Sequence, residues 1–533
     1  MSIDDIKIFE PNPNDLQAEM WVAPVDGGTA GAALTVSVEI QNVGIADQSG
    51  FNMMYSIDNG ATWVTELVPD TIQPDSFLTY NFTATGDFSA GGFFDCYGVV
   101  KNPGDTVLSN DTVYTQIYLC SAPLAGIYTI GPDPGDDFSS FTEAAIPLNN
   151  CGISGPVEFL VDPGTYTESF TLNTIMGSSD TNTIVFNGYD PSLVTITNTD
   201  YATVTLAGTD YITFKNITFA NTNTVDGWGI KLYDTANYVT VDSCMFDMYY
   251  ASGVSDVIGI NTGSSMTTDG TEENSANYLT ITNNTFTGGE KAIHLEGLGT
   301  AGDYMREVEI ANNVIYNVDD YGIYFDNVDS VTVFNNEIYD VIASAADGIY
   351  FSDVVNFYVS ENNVIAPDYA ISFYDGNFAA DGVTVGTVRS FVTNNMLIST
   401  GDDALLFDDF EEADVYHNTC HSNAAAGLYV NDLINVNIVN NIFTADNYYA
   451  FYSLDAITYT VNYNAYYVTG TYDLAYETAA QADLATWQTY NAAINANSVS
   501  VDPVYATATD LHVYNPAIDN LGDNSVGILV DID

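Results

Sequence analysis

The sequence predicts an all-β chain: an immunoglobulin-like β-sandwich followed by a parallel β-helix. Three observations predict it. First, from about Lys215 to Asn441 one short phrase recurs, as in Leu279-Thr-Ile-Thr-Asn-Asn-Thr-Phe, Val308-Glu-Ile-Ala-Asn-Asn-Val-Ile and Val331-Thr-Val-Phe-Asn-Asn-Glu-Ile. Second, with the second Asn of each pair as marker, the copies fall at 284, 313, 336, 363, 395, 418 and 441, and the shortest step is 23 residues. Self-similarity at that period marks a solenoid, whose repeats bury their apolar faces only against their neighbours. Third, residues 1 to about 119 hold some seven alternating runs broken by turn residues, as immunoglobulin-like sandwiches do.

In the sandwich region, Leu34-Thr-Val-Ser-Val-Glu-Ile alternates cleanly, and Asp58-Asn-Gly is a hairpin signal between Phe51-Asn-Met-Met-Tyr-Ser-Ile and Thr62-Trp-Val. Cys120-Ser-Ala-Pro reads as a junction. Within each later repeat, the phrase supplies one strand before the Asn pair and a second after it. A third run follows, such as Gly322-Ile-Tyr-Phe, Gly348-Ile-Tyr-Phe or Ala404-Leu-Leu-Phe. Three short strands per 23 residues make one rung of a parallel β-helix, with Val, Ile and Phe inside and Thr, Asp and Tyr outside. Asn suits the turn because it tolerates left-handed dihedrals, and stacked amides can bond one another from rung to rung. The predicted organisation is a sandwich over 1–119, a β-helix over 120–480 and a closing segment over 481–533.

Composition narrows the function. Lys+Arg 7 against Asp+Glu 71 gives a formal net charge of −64, and the bases are Lys7, Lys101, Lys215, Lys231, Lys291, Arg306 and Arg389. No cationic surface is available to displace counterions from phosphates, which excludes nucleic acid as a partner. No run of eighteen apolar residues would span a membrane. The acidic surface suits high salt or Ca²⁺. Oxygen-ligand clusters for Ca²⁺ are Asp133, Asp136 and Asp137, then Asp408 and Asp409 beside Asp402 and Asp403, without the fixed spacing of an EF-hand. Of five cysteines, Cys120 and Cys151 would tie the junction to the solenoid's start if bridged, but the odd count fits no complete framework. No signal peptide precedes Ile3-Asp-Asp-Ile, so the chain is expected to be numbered from a mature start or to be an excerpt.

Ala125-Gly-Ile-Tyr-Thr-Ile-Gly, Asp137-Phe-Ser-Ser-Phe-Thr-Glu-Ala-Ala and Gly152-Ile-Ser-Gly-Pro-Val-Glu-Phe-Leu-Val-Asp-Pro-Gly resemble the opening of pectate-lyase-like β-helix domains from secreted Bacteroidetes proteins. Leu484-Ala-Thr-Trp-Gln and Asn515-Pro-Ala-Ile-Asp-Asn-Leu-Gly resemble their closing segment. The resemblance covers about residues 120 to 533. It implies a right-handed helix, a short α-helix from about 140 to 148 plugging the first rung, and an extracellular or cell-surface setting. Relatives often carry a type IX sorting domain, and some are adhesins. The first 119 residues resemble the adhesion-type (CARDB-like) sandwich modules of secreted bacterial proteins.

Several residues are candidates for chemistry. Gly401-Asp402-Asp403 resembles the Gly-Asp-Asp element of polygalacturonases, whose acid and base are Asp residues. The companion positions depart from that family, reading Asp368-Tyr369-Ala370 and Ala425-Ala426-Gly427. Arg306 and Arg389 close long insertions (297–306 and 375–389) in phase with a third at 262–274, three rungs apart or roughly 14 Å, and mark a candidate binding face. His417 and His421 lie on a strand-turn segment, where a four-residue spacing does not make a zinc pair. Outward Tyr321, Tyr324, Tyr350 and Tyr374 would either stack on sugars or cover strand backbone. The expected function is non-catalytic: an adhesive segment of a surface protein or extracellular fibre, with a polysaccharide or surface glycan as partner. The alternatives are a polysaccharide hydrolase or lyase of the same fold and a self-associating filament subunit.

Overall fold

The computed structural model describes residues 12–251, 253–262, 276–297, 304–376, 389–518 and 521–526. Chain packing divides it into two compact units, Met1–Leu124 with Ile146–Ser154, and Ala125–Ala145 with Gly155–Asp533. The three long insertions lie largely outside the described residues.

In the first unit, a three-stranded antiparallel sheet orders Leu16–Ala23, Ser37–Asn42 and Phe77–Asn81. A four-stranded one orders Val64–Val68, Phe51–Ser56, Gly92–Lys101 and Thr112–Leu119. Val38 and Ile40 from one sheet share a core with Phe51, Met53, Val100 and Ile117 from the other, which makes the unit a β-sandwich. The Asp58-Asn59-Gly60 turn forms as its residue types demand, with Asn59 and Gly60 in the left-handed region. Asp58 accepts hydrogen bonds from Thr62 and Ser56, which hold its pKa down at about 2. Cys120 and Cys151 form a disulfide, and Cys96, Cys244 and Cys420 are buried free thiols.

The second unit carries the solenoid. Among the described residues, three sheets of thirteen strands each run its length, one for each strand of the repeat. The first sheet holds strands such as Val328–Phe334 that precede the Asn pair. The second holds those that follow it, such as Glu337–Tyr339, and the third the last run, such as Asp347–Ser352. Pairing from rung to rung is parallel and in register, so like stacks on like, and the third sheet ends where Ala479–Gln481 folds back antiparallel on Ala475–Glu477. Inside, Phe325, Phe351, Phe373 and Phe407 form one column with ring centroids 4.8, 4.5 and 4.7 Å apart. The small residue opening each third run has a steric cause: a Cβ on Gly348 would lie 2.1 Å from Val364 Cγ1 and 2.6 Å from the Ala370 carbonyl.

The Asn pair divides its labour. The first member takes the left-handed turn, at Asn283, Asn312, Asn335, Asn394 and Asn440. The second is buried and bonds its neighbour. Asn284, Asn313, Asn336, Asn362, Asn395, Asn418, Asn441 and Asn464 form a continuous ladder. At each step the backbone N–H and Nδ2 of one Asn both donate to Oδ1 of the next, at 2.8–3.1 Å. Nδ2 also donates to a first-sheet carbonyl of the preceding rung, as Asn395 does to Val359 at 3.0 Å. The ladder ends where Asn464 N–H donates to Ser498 Oγ. One marker is corrected: Asn362, not Asn363, occupies the ladder, because Glu361 takes the left-handed position and shifts the phase by one. At the 417–418 rung, His417 plays the turn role, and its Nε2 meets Asn440 Nδ2 at 3.1 Å.

Both ends of the solenoid are closed. Helix α1 (Phe141–Cys151) runs three residues beyond the expected stretch. Its buried Phe141 packs on Tyr166 and Phe170 at 5.1 and 5.5 Å, and the Glu168 carboxylate accepts the N–H groups of Phe141 and Thr142. At the far end, α2 (Leu484–Tyr490) is capped by Asp483. It buries Trp487 on Phe451 and Tyr466 at 5.2 and 5.3 Å, and the indole N–H donates to Glu477 at 2.7 Å. The hairpin of Tyr505–Thr507 and Asp510–Val513 then covers the second sheet, where Leu511 shields Met396 and Ile398. Tyr505 packs beside His421 and bonds Thr444, so His421 belongs to this covering contact.

Asn395→Ala would leave the backbone N–H of Asn362 without its acceptor and remove one of the bonds of Asn362 Nδ2, which keeps the Val333 and Ser360 carbonyls, and should cost about 1–3 kcal/mol in denaturant unfolding. Asn363→Ala, one residue from the ladder, should cost under about 0.5 kcal/mol.

Candidate functional site

The outward face of the third sheet gathers the chemistry. In one register row, Lys231, Asn261, His294, Tyr324 and Tyr350 succeed one another rung by rung. The adjacent row carries Trp228, Ile258, Lys291, Tyr321 and Asp347. In-register pairing aligns each row although its members come from five different repeats, and two consecutive inward residues, as at Ala292 and Ile293, break the alternation and bring the rows to the same side.

The basic end of this face is tightly built. Lys231 is only 4% exposed, and its Nζ lies 5.0 Å from the Trp228 ring centroid. Lys291 pairs with Glu290 at 2.7 Å and stands over the Tyr321 and Tyr324 rings at 5.6 and 6.0 Å. His294 meets the Tyr324 ring edge to face at 4.8 Å, and its Nε2 lies 3.8 Å from Glu296. Burial, reinforced by the Lys291 and Lys231 ammonium groups, holds the His294 pKa down at about 3, so the imidazole is neutral. Among the described residues, neither Nδ1 of His294 nor Nε1 of Trp228 has a hydrogen-bond partner.

Further along, carboxylates sit where water is scarce. Asp347 accepts the Ser372 hydroxyl at 2.7 Å and the Tyr369 N–H, and burial pushes its pKa up to about 7. Asp403, 5% exposed, accepts the Ala426 N–H at 2.6 Å. Burial, with Asp402 and Asp368 nearby, raises it to about 8. Asp368 rises to about 6 through burial and Asp402, and Asp326 to about 6 through burial, Glu296 and Asp353.

The structure brings the Asp402–Asp403 pair onto this face, but it also ties the pair into the turn. Asp402 N–H donates to Ser399 Oγ, the Asp402 carbonyl accepts from Ser422, and Asp402 Oδ1 accepts the Asp403 N–H. Arg306 and Arg389 lie at the opposite turn, entering the first sheet. Arg389 is engaged by Glu412 and Asp414 at 3.0 and 2.7 Å and by the carbonyls of Ala413 and Asn435, clamping the next two rungs. Arg306, half exposed, faces Asp329 at 3.8 Å.

Members of the expected cation clusters accept hydrogen bonds from the protein itself. Asp136 accepts the Asp133 N–H and Asp137 that of Thr129, while Asp408 accepts from Asn431. Asp409 lines a surface cavity of ≈ 460 Å³ with Asp432 and Asp455. Among the described residues no group of three or more His, Cys, Asp or Glu is placed to hold a metal ion. The tyrosines stack on one another: Tyr324 and Tyr350 lie 4.9 Å apart at 8°, and Tyr452 and Tyr476 4.6 Å apart at 11°. Rings so stacked leave no room for a sugar between them, so the row offers edges and hydroxyls, with ring faces open only where a column ends.

The sequence reading had not singled out Lys231, Lys291, His294, Trp228 or Asp347. The available signal was the third run itself, which carries Lys, Asn and His at the outward position where later rungs carry Tyr.

A sequence family described as right-handed β-helix region matches residues 202–386 and 297–465. The solenoid is a right-handed parallel β-helix. No curated protein matches the chain. Among solved structures, the A-module of a mannuronan C-5 epimerase from Azotobacter vinelandii is similar at 13% identity, with 67% of this chain and 95% of that chain covered and a TM-score of 0.44. Pectin methylesterase from Erwinia chrysanthemi is similar at 9% identity, covering 59% and 81%, with a TM-score of 0.26. A surface adhesin of Streptococcus pneumoniae is similar at 14% identity, covering 58% and 86%, with a TM-score of 0.30. The likeness to these three is one of fold.

Because the Asp403 pKa is raised, its contribution to stability is complete below about pH 4 and is lost as pH rises through about 8. Asp403→Asn keeps an acceptor for the Ala426 N–H and removes the buried charge. It should melt about 2 °C or more above the parent at pH 9, with the gap closing as pH falls to about 4, measured by thermal unfolding.

Proposed function

We propose that the chain is a non-catalytic adhesive segment of a secreted or cell-surface bacterial protein: a sandwich module followed by a stiff, acidic β-helix that engages glycans on its third-sheet face. The observation that carries the reading is how that face is built. Its buried carboxylates Asp347 and Asp403 are committed to protein hydrogen bonds, while Lys291 and the stacked tyrosines Tyr324 and Tyr350 form its outer edge. A glycosidase needs one ionised and one protonated carboxyl group. The buried pair Asp347 and Asp403, two rungs apart, has both members raised to about 7 and 8, which suits structure better than catalysis. The Cys120–Cys151 disulfide supports an oxidising, extracytoplasmic setting.

The test is co-incubation with polygalacturonate, alginate, xylan and β-glucan, following both affinity electrophoresis and product release. At least one glycan should retard the protein, with no shortened or unsaturated product. Turnover abolished by Asp402→Ala would replace this reading with that of a hydrolase or lyase.

A further inference from the structure

In the sandwich, the loop between strands Gly92–Lys101 and Thr112–Leu119 carries Asp105, Asn110 and Asp111, and it packs against the segment that enters strand Leu16–Ala23. Leu16 N–H donates to Asp105 at 2.8 Å, and Asn110 Nδ2 donates to Asp15 Oδ1 at 2.9 Å. The Asp111 carbonyl is fixed by the Val100 N–H at 2.9 Å, yet its side chain is not provided for. Asp111 is only 7% exposed, and its Oδ1 is buried without a hydrogen-bond partner among the described residues. Asn110 Oδ1, on the adjoining residue, is also buried and unpartnered.

A buried carboxylate is ordinarily matched by a base or by N–H donors, as Asp414 is by Arg389. Lys101 attracts Asp111 but is exposed and forms no ion pair with it. Burial, with the charges of Asp105 and Asp15 added, raises the Asp111 pKa to about 6, so the group is still ionised at neutral pH. Negative charge and two orphaned acceptors therefore coincide in one loop.

The chemistry narrows what completes it. Both orphaned atoms are oxygens, so the missing group is a donor or a cation, and a neutral donor would leave the Asp111 and Asp15 charges uncompensated. Asp105 has both oxygens committed, to the N–H groups of Leu16 and Val107. Two carboxylates remain, in keeping with the absence of any convergent group of three acids among the described residues. Ca²⁺ takes carboxylate, amide, main-chain and water oxygens together in flexible geometry, whereas Mg²⁺ demands a near-ideal octahedron. Access needs no deep cavity, because Asn110 and Asp111 follow the exposed Leu108 and Ser109 in the same hairpin loop.

We propose that Asp111, Asn110 and Asp15 form a Ca²⁺ site that pins this loop to the entry of strand Leu16–Ala23.

The full chain, stripped with a chelator, would be dialysed to equilibrium against CaCl₂ or MgCl₂ in about 0.15 M NaCl, which screens the acidic surface. Asp111→Asn keeps the side-chain shape and should bind one Ca²⁺ fewer per chain than the parent. The lost ion should have a Kd of about 10⁻⁴–10⁻³ M, the range of extracellular modules. Asp87→Asn removes the same charge from an exposed position of the same unit and should leave the count unchanged. Mg²⁺ at equal concentration should show no such difference between parent and Asp111→Asn. A chelated Asp111→Asn that melts no lower than the chelated parent shows that the fold is intact. Asp15→Asn should lose the same ion and serves if Asp111→Asn does not fold. Asp111→Asn and Asp87→Asn lowering the count alike, or neither lowering it, would overturn the site and leave the two oxygens to a bridging water.

Discussion

Parallel pairing in register sets every residue of the solenoid about 4.8 Å from its counterpart in the next rung. That spacing decides which residue types are tolerable where. A phenyl ring on a phenyl ring gains dispersion, which is why Phe columns fill the interior. A carboxamide on a carboxamide also gains, because it carries donor and acceptor at once, and the buried Asn ladder exploits this. A carboxylate on a carboxylate loses. Asp432, between Asp409 and Asp455, has its pKa raised by those two charges even at the surface.

The same constraint explains what could be read from the sequence and what could not. The ladder was legible because self-complementary stacking demands the same residue at the same phase in every rung, so the repeat writes itself into the chain. Its phase was not always legible. At Glu361-Asn362-Asn363 the turn residue is Glu rather than Asn, and only the backbone shows that Asn362 is the one turned inward. The sandwich was legible from alternation and from Asp58-Asn-Gly. The third-sheet site was not, since Lys231, Asn261 and His294 are different residue types some thirty positions apart, and only strand register aligns them. Arg389 misled for a related reason: its insertion drew attention, while its four partners lie one and two rungs away.

A chain with a formal charge of −64 has little reason to bury cations, and where it does the location is informative. Arg389 neutralises two acids of the next rung, Glu412 and Asp414. Lys231, Lys291 and His294 share a patch with aromatic rings. Solenoids can place such a patch anywhere along their length at small cost, because each rung interacts only with its neighbours.

The seals at the two ends carry a consequence for how such molecules diversify. Phe141 and Trp487 each close an apolar cross-section that is nearly the same in every coil. Plug and shaft are therefore separable parts, and duplication or loss of one whole coil leaves both closures intact. Unequal recombination between repeats could lengthen or shorten the molecule like a telescoping rod, changing reach without rebuilding either tip.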